Sequence, residues 1–341
     1  MEERYMVSSP PHIVGAERTS GLMREVLIAL TPALLASIYL FGMRALAVVA
    51  VSIASCLLFE ELYRRLTGRT STLFDLSAAV TGMLLAFNLP VNIPLWMPVI
   101  GAFFAMVIVK NLFGGLGQNF LNPALAARVF LANSWSSDMV AWSRPLLNPF
   151  AWSSQLDALA AATPRSLDAM STATPLSLLK GGEPLPEAAK SAQQLWNMVI
   201  GVKPGCLGET CGILLMLGGL YLIARGVITW HIPVGYLGTV CLLSLLFPAT
   251  GATPALSLFY NLFGGGLLLG AFFMATDYVT SPLPSSGRLF YGVCCGLLTV
   301  FIRRFGTSAE GVSFAILIMN MGVWFIDRAF MPKRFGGGVP Q

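Results

Sequence analysis

Six ionisable residues stand inside or at the edges of strongly apolar blocks: Asp75, Arg128, Glu209, Asp277, Glu310 and Asp327. A charge inside a bilayer is costly, so each is a candidate for ion passage unless it snorkels to an interface. Asp277, Glu209 and Asp75 carry the ion-pathway expectation, and Arg128 stands with them; Asp327, beside Arg328, reads as an ordinary interfacial charge. A second set of polar groups is the string Asn111-Leu-Phe-Gly-Gly-Leu-Gly-Gln-Asn119-Phe-Leu-Asn122-Pro123. Glycine and proline at membrane depth free backbone groups that need partners, which is tolerated where they line a cavity or a ligand. Asn119 and Asn122 are the amides placed to hydrogen-bond there. The third feature is the polar stretch Asp168-Ala-Met-Ser171-Thr172-Ala173-Thr174-Pro175-Leu176, which by composition is only a Ser/Thr/Pro loop. Cysteines at 56, 206, 211, 241, 294 and 295 form no Cys-x-x-Cys, and histidines occur only at 12 and 231. No zinc or iron–sulfur spacing is present, no metal is expected, and the cysteines read as packing residues. Cys206 and Cys211, flanking Gly208-Glu209, are the exceptions to watch.

The elements that must position these groups follow from composition. The chain has 341 residues, 55% hydrophobic and 11% charged, with mean hydropathy +0.72. Soluble domains carry about 25% charged residues, so the expected fold is all-α, a polytopic membrane protein of about ten transmembrane helices. The net charge of +5 sits mostly at segment ends and reads as topology, which excludes a nucleic-acid-binding role. The N-terminus lacks the pattern of a cleavable signal. Residues 1–20 read as an aqueous arm, 21–133 as a first five-helix half, 134–205 as a polar loop, 206–328 as a second five-helix half and 329–341 as a tail. Spans are expected near 22–41, 44–63, 73–89, 94–112, 119–133, 206–224, 231–248, 256–275, 287–302 and 310–328. Lysines and arginines in the short loops place both termini in the cytoplasm and 134–205 outside, with Arg303 and Arg304 as exceptions on the outer side.

An odd number of spans per half implies that a repeat would be inverted, as in many transport folds. Leu73–Phe87 resembles Leu258–Phe272, spans three and eight, and Asn-Leu-Phe-Gly-Gly recurs at 111–115 and 261–265. This supports a 5+5 inverted repeat. Within span eight the glycines read as close helix packing by small residues.

Asp168 with Ser171-Thr172-Ala173-Thr174 resembles the flavin-attachment motif Asp-x-x-Ser/Thr-x-Ala-Thr. The whole chain is similar to the RnfD family, the D subunits of the Rnf electron-transport complex, which is related to the B subunits of the sodium-pumping NADH:quinone reductase. The likeness runs through Thr81-Gly82, Leu89-Pro90, Asn92–Trp96, Lys110–Gly117, Gln118–Ala124, Met274–Asp277 and Phe314–Asn320. It implies FMN held by a phosphoester on the last threonine of the motif, Thr174, made by a flavin transferase. Asp168, Ser171 and Ala173 complete that motif; Thr163, in Ala-Thr-Pro, competes but lacks the upstream Asp and Ser. The resemblance further implies a non-covalent riboflavin, for which Asn119 and Asn122 at the Gly114–Pro123 break are the candidates, and ion passage at Asp277. The partners it implies are the A, B, C, E and G subunits of the Rnf complex and the membrane lipid. The setting is a bacterial or archaeal inner membrane, where electrons from ferredoxin to NAD+ would drive Na+ or H+. No catalytic side chain is expected, since the flavin performs the redox step. A solute channel or secondary transporter is the alternative, and it has no need of the 168–174 motif. Ser308-Ala309 and Cys206/Cys211 depart from the family pattern.

Overall fold

The computed structural model describes residues 19–142, 175–180, 191–209, 211–249, 252–306 and 310–331. Among these the regular structure is helical, without a strand. We label the helices α1 (Thr19–Phe41), α2 (Met43–Leu66), α3 (Ser77–Phe87), α4 (Trp96–Phe103), α5 (Pro123–Ser134), α6 (Pro175–Lys180) and α7 (Ala192–Ile200). The remainder are α8 (Gly212–Ala224), α9 (His231–Leu246), α10 (Pro254–Phe263), α11 (Leu267–Leu269), α12 (Ser285–Phe305) and α13 (Val312–Ala329). α4 widens into a π-helical stretch over Phe104–Asn111, and α11 does so over Gly270–Met274.

The ten expected blocks appear in order, but most are not full-length spans. α1, α2, α12 and α13 are long and apolar enough to cross a membrane, and α10 with α11 makes a fifth if that bent pair is one span. α3, α8 and α9 have 11, 13 and 16 residues. At about 1.5 Å per residue these fall short of a roughly 30 Å hydrocarbon core. Two expectations need correction. The block 119–133 is not helical from its start: Asn119–Asn122 is an irregular, bent entry, and helix begins at Pro123. The glycines of span eight are not merely small packing residues. They break the helix after Phe263, and the two pieces meet at 62°. The cause is local, because Gly265 takes φ +70, a conformation that a helix cannot include.

Packing pairs the halves. α1 lies on α8, and α5 lies on α13. These are spans one and six, and five and ten, the partners an inverted repeat would place beside its axis. In the first half, α3 seats on α2 through Gly82: a Cβ there would stand 2.7 Å from Ile53 Cα. Ser52 Oγ closes the same contact by donating to the Gly82 carbonyl at 2.9 Å. The core is continuous, with α3, α5, α11 and their neighbours contributing fully buried Leu85, Phe87, Leu125, Leu267 and Ile316. A small second cluster, Leu176, Leu179, Met198 and Tyr260, ties α6 and α7 to α10.

Candidate functional site

Two polar clusters are held within this apolar frame, about one short helix apart. The first surrounds a cavity of about 80 Å3 lined by Ser77, Thr81, Lys110, Asn119, Asn122 and Asp277, among others. At roughly 10–15 Å3 per water, it has room for a handful of waters or a partly hydrated ion. Lys110 Nζ is fixed at 2.9 Å from Glu60 Oε1 and 2.8 Å from Ser77 Oγ, and Thr72 Oγ1 donates to the same Glu60 oxygen at 3.0 Å. Lys110 and Glu60 are 2% and 1% exposed, so the charges neutralise each other in a dry setting. Asn122 is the N-cap of α5. Its Oδ1 accepts from the amides of Ala124 and Leu125 at 3.1 and 3.3 Å, and its Nδ2 donates to the Met274 carbonyl at 3.3 Å. Asn119 Nδ2 donates to the Leu121 carbonyl at 2.9 Å. Asp277 lies in the link between α11 and α12, partly exposed, and accepts from Thr280 Oγ1 at 3.2 Å. Desolvation raises its carboxyl above the ordinary range; bonds from Thr280 and from the Val279 and Tyr278 amides oppose that.

The second cluster is closed. Arg128, in the middle of α5, forms an ion pair with Glu310 and donates to Ser313 Oγ at the start of α13. Its Nη2 also stands 3.8 Å from Cys206 Sγ, and the Cys206 thiol donates to the Asn88 carbonyl at 3.4 Å. Glu209 is 5% exposed, and its Oε1 has no hydrogen-bond partner. At the broken end of α10, Lys203 donates to the Phe263 carbonyl, and Arg303 donates to the carbonyls of Asn261 at 2.6 Å and Gly264 at 3.2 Å. Cations there complement the negative end of the helix dipole and its unpaired carbonyls. α6 rests on this turn: Leu176 packs against Gly264 and Gly265, and Lys180 donates to the Gly306 carbonyl.

The two copies of the Asn-Leu-Phe-Gly-Gly string share one feature, although the first glycine differs, φ +122 at Gly114 and −85 at Gly264. The second glycine is left-handed in each, φ +100 at Gly115 and +70 at Gly265. A Cβ added at either would stand 3.2 Å from an arginine guanidinium, Arg64 in one half and Arg303 in the other. A hydrogen-bonded route joins the two clusters: Cys206 to the Asn88 carbonyl, Asn88 Nδ2 to Met274 Sδ at 3.6 Å, and the Met274 carbonyl to Asn122.

The structure therefore brings Asn119, Asn122 and Asp277 together and sets Glu209 apart with Arg128. Asp75 ends a single turn, Leu73–Asp75, and lines neither cluster. Asp327 accepts from the Leu283 amide at 2.9 Å, as an interfacial charge can. Asp168, Ser171, Ala173, Thr174 and the competing Thr163 lie outside the described residues, and α6 begins at the next residue, Pro175. Sequence reasoning missed Glu60 and Lys203, and took Lys110 as a topology signal only. The available hint was that Glu60 stands in an apolar span and Lys110 directly precedes the repeated string.

Comparison with known proteins gives a consistent answer. Residues 6–336 match the model of the NQR2, RnfD, RnfE family. The chain is 43% identical over 335 residues to the D subunit of the Na(+)-translocating ferredoxin:NAD(+) oxidoreductase complex of Acetobacterium woodii, covering 98% of this chain and 96% of that protein. It is 39% identical to the D subunit of the proton-translocating ferredoxin:NAD(+) oxidoreductase complex of Clostridium ljungdahlii, covering 97% and 96%. It is 37% identical to the D subunit of the ion-translocating oxidoreductase complex of Aliivibrio salmonicida, covering 97% and 98%.

Proposed function

Because the chain belongs to the NQR2, RnfD, RnfE family, whose relatives are subunits of ion-translocating oxidoreductases, we propose that it carries electrons through an FMN on Thr174 and couples their flow to ion passage at Asp277. It acts as the membrane subunit of a ferredoxin:NAD+ oxidoreductase, not as an enzyme alone. The observation that carries this reading is the near full-length likeness joined to the Asp168–Thr174 motif, which a plain channel has no need for.

The geometry bears on three parts of it. α6 follows Thr174 in sequence and is held on the broken end of α10 by Leu176 and Leu179, while Lys180 ties it to the Gly306 carbonyl at the end of α12. Lys203 and Arg303, at that end of α10, are cations of the kind that suit a phosphoester. The flavin supplies one- and two-electron chemistry when bound; the chain positions it and sets its electrostatics. In the cavity, Asp277 offers a hard carboxylate oxygen, with hydroxyls of Ser77, Thr81 and Thr276 beside it. A riboflavin at Asn119 and Asn122 would have to displace the bonds these amides make now, so the cavity as built suits water or a small cation better than a flavin ring. Relatives named for sodium and for protons share this likeness. The desolvated carboxyl of Asp277 is a group either ion could occupy. In the topology that the lysines and arginines imply, the cavity faces the cytoplasm and the closed cluster faces outward.

The test is peptide mass spectrometry of the purified protein. Peptide 166–180, between Arg165 and the Lys180 cleavage site, is expected to carry an FMN adduct that Thr174→Ala removes. An unmodified wild-type peptide, from cells that make the flavin transferase, would overturn the flavin part.

A further inference from the structure

The closed cluster contains an arrangement that neither electron transfer nor ion passage at Asp277 uses. The Sγ of Cys206 and carboxylate oxygens of Glu209 and Glu310 all lie within 4.8 Å of one another. We propose that these three side chains form a binding site for a borderline-soft divalent cation of the zinc class. A tetrahedral ion with bonds of about 2.0–2.3 Å holds its ligand atoms roughly 3.3–3.8 Å apart, so the present spacing contracts by up to about 1 Å on binding, within reach of side-chain rotation.

Three further observations support the assignment. The Oε1 of Glu209 is buried without a hydrogen-bond partner, although Glu209 itself is 5% exposed. A charged oxygen in that state costs several kcal/mol by general estimates unless something binds it. Arg128 touches both Glu310 and Cys206 and is itself fixed by Ser313, the outer contact that orients metal ligands elsewhere. The ligand charge also matches: a thiolate and two carboxylates offset a dication and Arg128, while Lys203 and Arg303 act on Glu209 through space. Lys203 and Arg303 direct their donors to the carbonyls of Phe263, Asn261 and Gly264. The thiol disfavours sodium, a hard ion, so this site is distinct from the cavity at Asp277. Binding would release the thiol proton to solvent and take Cys206 from the Asn88 carbonyl, the first bond of the route to the cavity.

The site stands on its own geometry and is independent of the flavin on Thr174. Cobalt(II) is the probe, added to the full-length protein in detergent. Wild type should take up one equivalent with a thiolate-to-cobalt charge-transfer band, displaced by zinc. Cys206→Ser should lose the band, Glu209→Gln should weaken binding at least tenfold, and Cys211→Ser should change neither. Absence of the band in wild type, or its persistence in Cys206→Ser, overturns the site. Should Cys206→Ser fail to fold, wild type alone decides. Zinc should slow maleimide labelling of the Cys206 peptide at least tenfold, and equal labelling with and without zinc overturns the proposal.

Discussion

The two polar clusters are built from the same kinds of residue and do opposite things with them. Around the cavity, a buried lysine and glutamate cancel each other at the wall, and a partly exposed carboxylate, Asp277, is left facing open volume. In the closed cluster, Arg128 and Glu310 cancel in the middle, and the remaining carboxylate oxygen, on Glu209, is sealed from water. The first is open to a small ion and the second is closed. If an ion passes at the first, the contacts from Cys206 through Asn88 and Met274 to Asn122 are an element that touches both.

The comparison is broken most severely at Asp277. Asp277→Asn should lower ion accumulation by vesicles carrying the whole complex more than tenfold, whereas Asp75→Asn, in neither cluster, should leave it near wild type. The wild-type rate has a sign with pH as well. Desolvation raises the Asp277 carboxyl, so its charged form is lost on acidification earlier than for an ordinary aspartate, and sodium-dependent transport should fall above the usual carboxylate range. Unchanged transport in Asp277→Asn would remove the cavity from the ion path.

Next come the paired charges. Lys110→Ala takes from Glu60 its nearer cation, leaving Arg64 at 3.9 Å, and Arg128→Ala takes from Glu310 its ion-pair partner; each should cost up to about 3–5 kcal/mol. Lys110 and Glu60 are the drier pair, at 2% and 1% exposed against 11% and 12%. Lys110→Ala should therefore lower the detergent Tm further. Lys110→Met with Glu60→Leu should recover most of the loss, because apolar replacements of a buried pair leave no charge stranded. A smaller effect falls on the helix contact beneath the cavity. Gly82→Ala puts a methyl against the Ile53 backbone and should cost about 1–3 kcal/mol, read as a lower Tm. The smallest is Asn122→Ala, which removes the α5 cap for about 1 kcal/mol. If it also shifts labelling of Cys206, the route between the clusters is sharpened from a set of contacts to a coupling.

What was legible in the sequence follows from which signals are local. Hydropathy blocks gave the helical elements and their order, because an apolar run needs nothing beyond itself to be recognised. Their lengths were not legible. α3, α8 and the pieces α10 and α11 are shorter than a bilayer, and apolar residues in the links Asn88–Pro94 and Gly264–Gly266 continued the runs past the helix ends. The repeated string at 111 and 261 was visible, yet the shared arginine beside Gly115 and Gly265 was not, since Arg64 and Arg303 lie 51 and 38 residues away in sequence. Asn119, Asn122 and Asp277 were readable as candidates because polar groups at membrane depth are rare. Their meeting was not, because it depends on α5 packing against the end of α11. Glu60 escaped notice because its partner, Lys110, is 50 residues on.

If electrons and ions pass through one subunit, a single preparation can read both. Membrane vesicles carrying the complex would be assayed for ferredoxin-dependent NAD+ reduction and ion accumulation, in wild type, Thr174→Ala and Asp277→Asn. Thr174→Ala should lose both, while Asp277→Asn should lose accumulation more than electron flow. Full electron transfer and ion accumulation in Thr174→Ala would contradict this expectation.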